Sequence, residues 1–273
     1  MRRRDVLRAA SSTGFAGGLL YRLSESNRAR EDISAENAES IPETDRTNRR
    51  LVNGTYHLTY TWFDYRERPW EFQHRLDQET YEATQRQPRG MFLSFDRARS
   101  SPYGGEIGRD ILARATSSAV TGVESLTPAE RLELVVSFTQ SIEYARDEES
   151  TGSYDYHRTI EETLVDGVAD CKDATYLLAG MLSNPPFDYR TAMVISDSDS
   201  AVGHMYLGVH RDDLPEPYQS AKTVPGGTYV PIESVSSMPV GEREDFAVLT
   251  VYDGGFHYID IGSILRVLYE SVL

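Results

Sequence analysis

At 273 residues, with 39% hydrophobic and 10% aromatic content, the chain can bury a sizeable core and is not a disordered polymer. A formal net charge of −15 and an isoelectric point near 4.8 exclude nucleic acid as the natural partner, because phosphate would be repelled. The single cysteine, Cys171, excludes an intramolecular disulfide.

All but two of the 28 Lys+Arg residues are arginine, and with the acidic excess this resembles the composition of proteins from extreme halophiles. The chain opens Met1-Arg2-Arg3-Arg4-Asp5-Val6-Leu7-Arg8, which resembles a twin-arginine export signal with Arg3-Arg4 as the pair. A weakly apolar, uncharged stretch from Ala9 to Tyr21 follows, too short to span a bilayer. Residues 1–21 are therefore read as a signal, with an exported, extracytoplasmic protein expected if it is used and a cytoplasmic one if it is not. Residues 22–50, polar and charged with Pro42, read as a disordered tether.

From residue 51 the pattern is that of a folded chain. Tyr56, Leu58, Tyr60 and Trp62 alternate with polar residues, as do Trp70, Phe72, His74 and Leu76, which predicts a β-hairpin over 55–77. A short helix is expected over 78–86, a loop from Gly90 to Gly105, and a helix from Ile107 to Val120. Thr127-Pro128-Ala129-Glu130 is a capping box with proline at the first helical position. Asp147 to Tyr156 reads as a polar loop, and Thr159 to Val165 as a short helix stopped by Gly167. Cys171 to Ser183 is a helix with Asp170 as N-cap and Ala174, Leu177, Leu178, Met181 and Leu182 on its apolar face. Strands follow over 190–195, 203–210, 228–235 and 246–252. Asp253-Gly254-Gly255 then turns into a hairpin strand over 256–261, and an amphipathic helix closes the chain from 262 to 273. Helices first and an antiparallel sheet afterwards define an α+β fold.

Cys171 falls at the first helical position, where the helix dipole and unpaired N–H groups favour a thiolate. On its own a lone cysteine is more often a small buried hydrophobe. A thiol nucleophile also needs a histidine to take its proton and a third group to hold that ring. His204 opens a predicted strand, and Glu233 lies in Tyr229-Val230-Pro231-Ile232-Glu233-Ser234 on the next one. Antiparallel neighbours would set the carboxylate beside the imidazole. The bland alternatives are a strand histidine bonded to backbone and a solvated edge carboxylate. The other histidines fit less well, and His157 is expected in a surface loop. One cysteine and scattered histidines show no zinc-ligand spacing, and no stretch resembles an EF-hand loop, so neither a metal nor a cofactor is expected.

Ile142-Glu143-Tyr144 to Asp147, Glu162-Thr163-Leu164, Asp170-Cys171-Lys172-Asp173, Gly203-His204-Met205 and Ile232-Glu233-Ser234 together resemble the transglutaminase-like superfamily, in its microbial branch. The resemblance covers roughly residues 130 to 245 and implies a papain-like core, so a transglutaminase-like domain is expected over 126–273, after the hairpin and helices read over 51–125. It also implies a catalytic triad falling on Cys171, His204 and Glu233. Two positions depart from the family pattern: Ala169 stands where glycine is usual, and Lys172 where an acid is usual. Lys172 would favour the thiolate further. The implied activity is a thiol enzyme acting on amide or peptide bonds of a protein or peptide substrate through a thioester, hydrolytic rather than cross-linking. The alternative is a non-catalytic extracytoplasmic binding or structural domain that keeps the fold.

Overall fold

The computed structural model describes residues 47–197, 203–243 and 246–264. The arginine-rich start, most of the tether and most of the expected C-terminal helix lie outside the described residues. The tether, expected to run to residue 50, gives way earlier to strand β1 (Thr47–Val52). β1 pairs antiparallel with β2 (Thr55–Phe63) across Asn53-Gly54, both with positive φ, 50° and 77°. Asn-Gly in such a two-residue turn is a strong hairpin signal. The side chains of Arg49, Arg50 and Leu51 left no apolar pattern to mark the strand, because an edge strand is held by its backbone.

β2 and β3 (Pro69–Asp77) form the expected hairpin, in register from Thr55↔Asp77 to Phe63↔Pro69. Trp70, Phe72, His74 and Leu76 all point inward. Helix α1 (Gln78–Thr84) follows. The loop expected from Gly90 to Gly105 is instead helical: α2 (Met91–Arg99), then α3 (Pro102–Arg114), capped by Ser101, whose hydroxyl accepts from the Gly104 N–H at 3.3 Å. The helix expected over 107–120 thus starts earlier and ends sooner. Glycines that suggested a loop serve a close approach, since a Cβ on Gly104 would lie 2.7 Å from the Cα of Gly180.

Helix α4 (Pro128–Gln140) starts at the expected capping box. Strand β4 (Glu143–Tyr144) leads to a single helical turn, α5 (Asp147–Thr151), inside the stretch read as loop. Helix α6 (Ile160–Asp166) ends on Gly167 in the left-handed region, and β5 (Val168–Ala169) pairs parallel with β4. Helix α7 (Cys171–Leu182) comes next, and every one of its residues from Lys172 to Leu182 is buried. One face packs on α2 and α3 and another on the sheet.

That sheet contains β6 (Thr191–Ser196), β7 (His204–His210), β8 (Tyr229–Ile232), β9 (Val248–Tyr252) and β10 (Phe256–Ile259), in the order β10-β9-β6-β7-β8, with all neighbours antiparallel. Met193, Met205, Leu207, Val209, Val230 and Ile232 face the helices, while Ala192, Val194, Tyr206, Tyr229 and Val251 build a second cluster on the other face. The fold is thus mixed helix and strand with antiparallel sheets. Tyr60, Trp62 and Phe72 of the first sheet surround Phe138 of α4 with edge-on rings 5.2, 5.3 and 5.9 Å away. Among the described residues no helix is long and apolar enough to cross a membrane.

Candidate active site

The elements around Cys171 form a series of stops and starts. Thr159 and Glu162 make a capping box that begins α6, and Gly167 ends it at φ 70°, a conformation glycine adopts without steric cost. Two residues of β5 then run beside β4, with the Ala145 N–H donating to the Ala169 carbonyl at 3.1 Å. Asp170 caps α7: its Oδ1 accepts from the N–H groups of Lys172 at 3.0 Å and Asp173 at 3.1 Å. Cys171 is the first helical residue, partly exposed, with a free thiol.

His204 begins β7, and its Nε2 lies 2.8 Å from Glu233 Oε2. Glu233 is just past the end of β8 rather than within it, and it is buried, which removes the alternative of a solvated edge carboxylate. Its Oε1 accepts from the N–H groups of Ser234 at 2.9 Å and Val235 at 3.0 Å, which fixes the carboxylate. Its carbonyl accepts from Gln140 Nε2 at 2.9 Å, tying this corner to α4. Thr175 lies one turn beyond the cysteine. Its hydroxyl donates to the Cys171 carbonyl at 2.7 Å and sits 3.1 Å from Ser234 Oγ, so helix and sheet meet beside the thiol.

Burial alone would push the His204 pKa down. Interactions with Cys171 and then with Glu233 override it and raise the imidazole to about 10. Phe246 and Tyr206 flank the ring, with centroids 6.5 and 5.9 Å away. His204 and Glu233 are thus paired at the sheet, and Thr175, one turn after Cys171 on α7, reaches Met205 and Ser234, the residues that follow them.

Three other residues differ from expectation or were missed. His157 is buried rather than in a surface loop, with Nδ1 2.9 Å from the Tyr176 hydroxyl and Nε2 3.3 Å from Asp155. Lys172 turns its ammonium into carboxylates, with Nζ bonded to Asp170, 2.5 Å from Asp147 Oδ2 and 3.9 Å from Asp155 Oδ1. Its charge is thus met there and is not left over to favour the thiolate. Arg158 has a fully buried side chain and reaches Asp173 at 3.0 Å, Asp166 at 3.1 Å and Asp147 at 3.4 Å. No periodicity marks such long-range ion pairs, although an arginine among so many aspartates was a faint signal.

No protein-family model and no curated protein matches the chain. Solved structures of LapG from Legionella pneumophila resemble it distantly. The calcium-bound form is 17% identical, covers 71% of this chain and 98% of its own, and gives a TM-score of 0.31. A second LapG structure is 18% identical over 67% of this chain and 94% of its own, with a TM-score of 0.35. The EGTA-treated form is 18% identical over 67% and 97%, at 0.33.

Proposed function

We propose that this chain is a transglutaminase-like thiol enzyme acting on amide or peptide bonds, with Cys171 as nucleophile, His204 as general base and acid, and Glu233 holding the imidazole. The observation that carries the reading is the His204–Glu233 hydrogen bond, made by a buried, doubly N–H-anchored carboxylate in a fold that sets the lone cysteine at a helix N-terminus.

Glu233 occupies Nε2 and thereby leaves Nδ1 for the thiol proton. Cys171 Sγ, as thiolate, attacks the substrate carbonyl carbon, and the carbonyl electrons move to the oxygen. The backbone N–H of Cys171, at the positive end of α7, faces that developing oxyanion. The intermediate collapses as the amine leaves, taking the proton from His204, and a thioester remains on Sγ. Water then attacks the thioester while His204 removes its proton, and the carboxylic acid departs with the thiol restored. Hydrolysis is favoured over transfer to an amine within the protein itself, which has only two lysines to offer. The substrate class is a protein or peptide, and export through the Arg3-Arg4 signal would place the reaction outside the cytoplasm.

The test is turnover of a peptide library, followed by mass spectrometry, with wild type against Cys171→Ala. Cleaved products that vanish in Cys171→Ala, with hydroxylamine diverting the Cys171 thioester to an acyl hydroxamate and freeing the thiol, are the expected result. Equal product from both proteins, or none from either, would remove the enzymatic reading in favour of a binding domain.

A further inference from the structure

Three carboxylates converge at the base of the turn that carries the thiol. Asp147 opens α5, Asp170 caps α7 and Asp173 lies in its first turn, and one oxygen of each falls within 4.8 Å of the others. All three side chains are buried. A set of convergent carboxylate oxygens is the donor chemistry that hard divalent cations such as calcium take.

Here those oxygens are already engaged by donors of the chain itself. Asp170 Oδ1 accepts from two backbone N–H groups, and Oδ2 from the Lys172 ammonium. Asp147 Oδ2 accepts from Lys172 Nζ and from the Tyr156 N–H at 2.8 Å, while its Oδ1 faces Arg158 at 3.4 Å. Asp173 Oδ1 accepts from the Arg158 N–H at 2.9 Å, and Oδ2 from its guanidinium at 3.0 Å. The lysine ammonium has three N–H donors and three carboxylates around it, Asp147, Asp170 and Asp155. A divalent cation would have to displace it, and the residues as they stand do not fit one.

We propose that Lys172, bound to Asp147 and Asp170 while Arg158 holds Asp173, is a tethered cation that stands in the Asp147–Asp170–Asp173 cluster in place of a divalent ion, and so holds the Cys171 turn without metal. Lys172 is in this account a positioning residue. It neutralises the cap Asp170 and the Asp147 carboxylate of α5, and so draws α5 and the start of α7 together. Removing the ammonium while leaving the carboxylates would expose a concentrated negative site that an added cation can occupy. Calcium dependence should therefore be absent from the wild type and created by substitution. This follows from the carboxylate geometry alone and holds whether or not Cys171 is catalytic.

The experiment is thermal unfolding of the full chain with calcium, with magnesium and with EGTA, for wild type and Lys172→Met, with Cys171 alkylation followed in parallel. Wild type is expected to melt at the same temperature in all three. Lys172→Met is expected to melt several degrees lower in EGTA, and to recover most of that loss and the wild-type alkylation rate when calcium is added. A wild type stabilised by calcium or destabilised by EGTA would overturn the proposal. So would a Lys172→Met protein on which calcium has no effect. Should Lys172→Met fail to fold, Lys172→Gln makes the same comparison, and the wild-type result stands by itself.

Discussion

At its C-terminal end α7 is packed by shape. Leu177, Leu178, Met181 and Leu182 are completely buried, and Gly180 meets Gly104 of α3 so closely that a Cβ on either would collide with its neighbours. At its N-terminal end the same helix is held by charge: Asp170, Lys172 and Asp173 lock into Asp147 and Arg158, and Thr175 ties the turn to the sheet. Apolar packing tolerates no functional groups, whereas a charged, hydrogen-bonded turn holds backbone and side chains in one geometry and leaves the thiol partly exposed. One helix thus combines a rigid anchor with a chemically active end.

The charged end of α7 depends most on Arg158. Arg158→Met leaves Asp147, Asp166 and Asp173 buried without their shared cation, and a loss of about 3–5 kcal/mol in chemical denaturation is expected. A loss near zero would mean that the charged end is not held by its ion pairs. At the other end, Gly180→Ala would bring a Cβ to 2.4 Å from Ile160 Cδ1 and 3.0 Å from the Ala98 carbonyl. The expected cost is about 1–3 kcal/mol, with the Cys171 alkylation rate unchanged. A slowed alkylation would show that the two ends are coupled. Asp170→Ala removes both cap hydrogen bonds, for about 0.5–2 kcal/mol, and should slow alkylation of Cys171.

The smallest effect is on His204. Its folded pKa of about 10 lies above the ordinary 6.5. The stability contributed by the paired imidazolium is therefore complete below about pH 6.5 and is lost as the pH rises through about 10. Glu233→Gln should move the His204 resonance titration in NMR back toward the ordinary value and flatten that pH dependence. An unchanged titration would remove Glu233 from the pair.

Helix α7 was legible because its apolar spacing, N-cap and stop are all local, and the hairpin β2–β3 because period-two alternation with a turn is local too. Helix α2 and the first turn of α3 were not, whereas α3 from residue 107 was expected; Gly104 and Gly105 carry the signature of a loop while serving contacts with Gly180 and Asn184 that no local pattern reveals. β1 was hidden by its polar edge, although Asn53-Gly54 announced the turn. Of the candidate site, the order Cys171, His204, Glu233 singles out three residues, of which the structure joins His204 and Glu233 by a hydrogen bond and sets Cys171 at the first position of α7. The destination of Lys172 was not legible. A lysine beside a cysteine suggests help for a thiolate, and only the tertiary positions of Asp147 and Asp155 show where its charge goes.

The reading rests above all on the reactivity of Cys171 in the folded protein. Alkylation by iodoacetamide, measured across mildly acidic to alkaline pH for wild type and His204→Ala, reports it directly. Wild type should react fast and with little pH dependence well below the ordinary cysteine value of about 8.5, and His204→Ala should lose that reactivity at low pH. A wild-type rate that rises only near that value, and that His204→Ala leaves unchanged, would contradict the account.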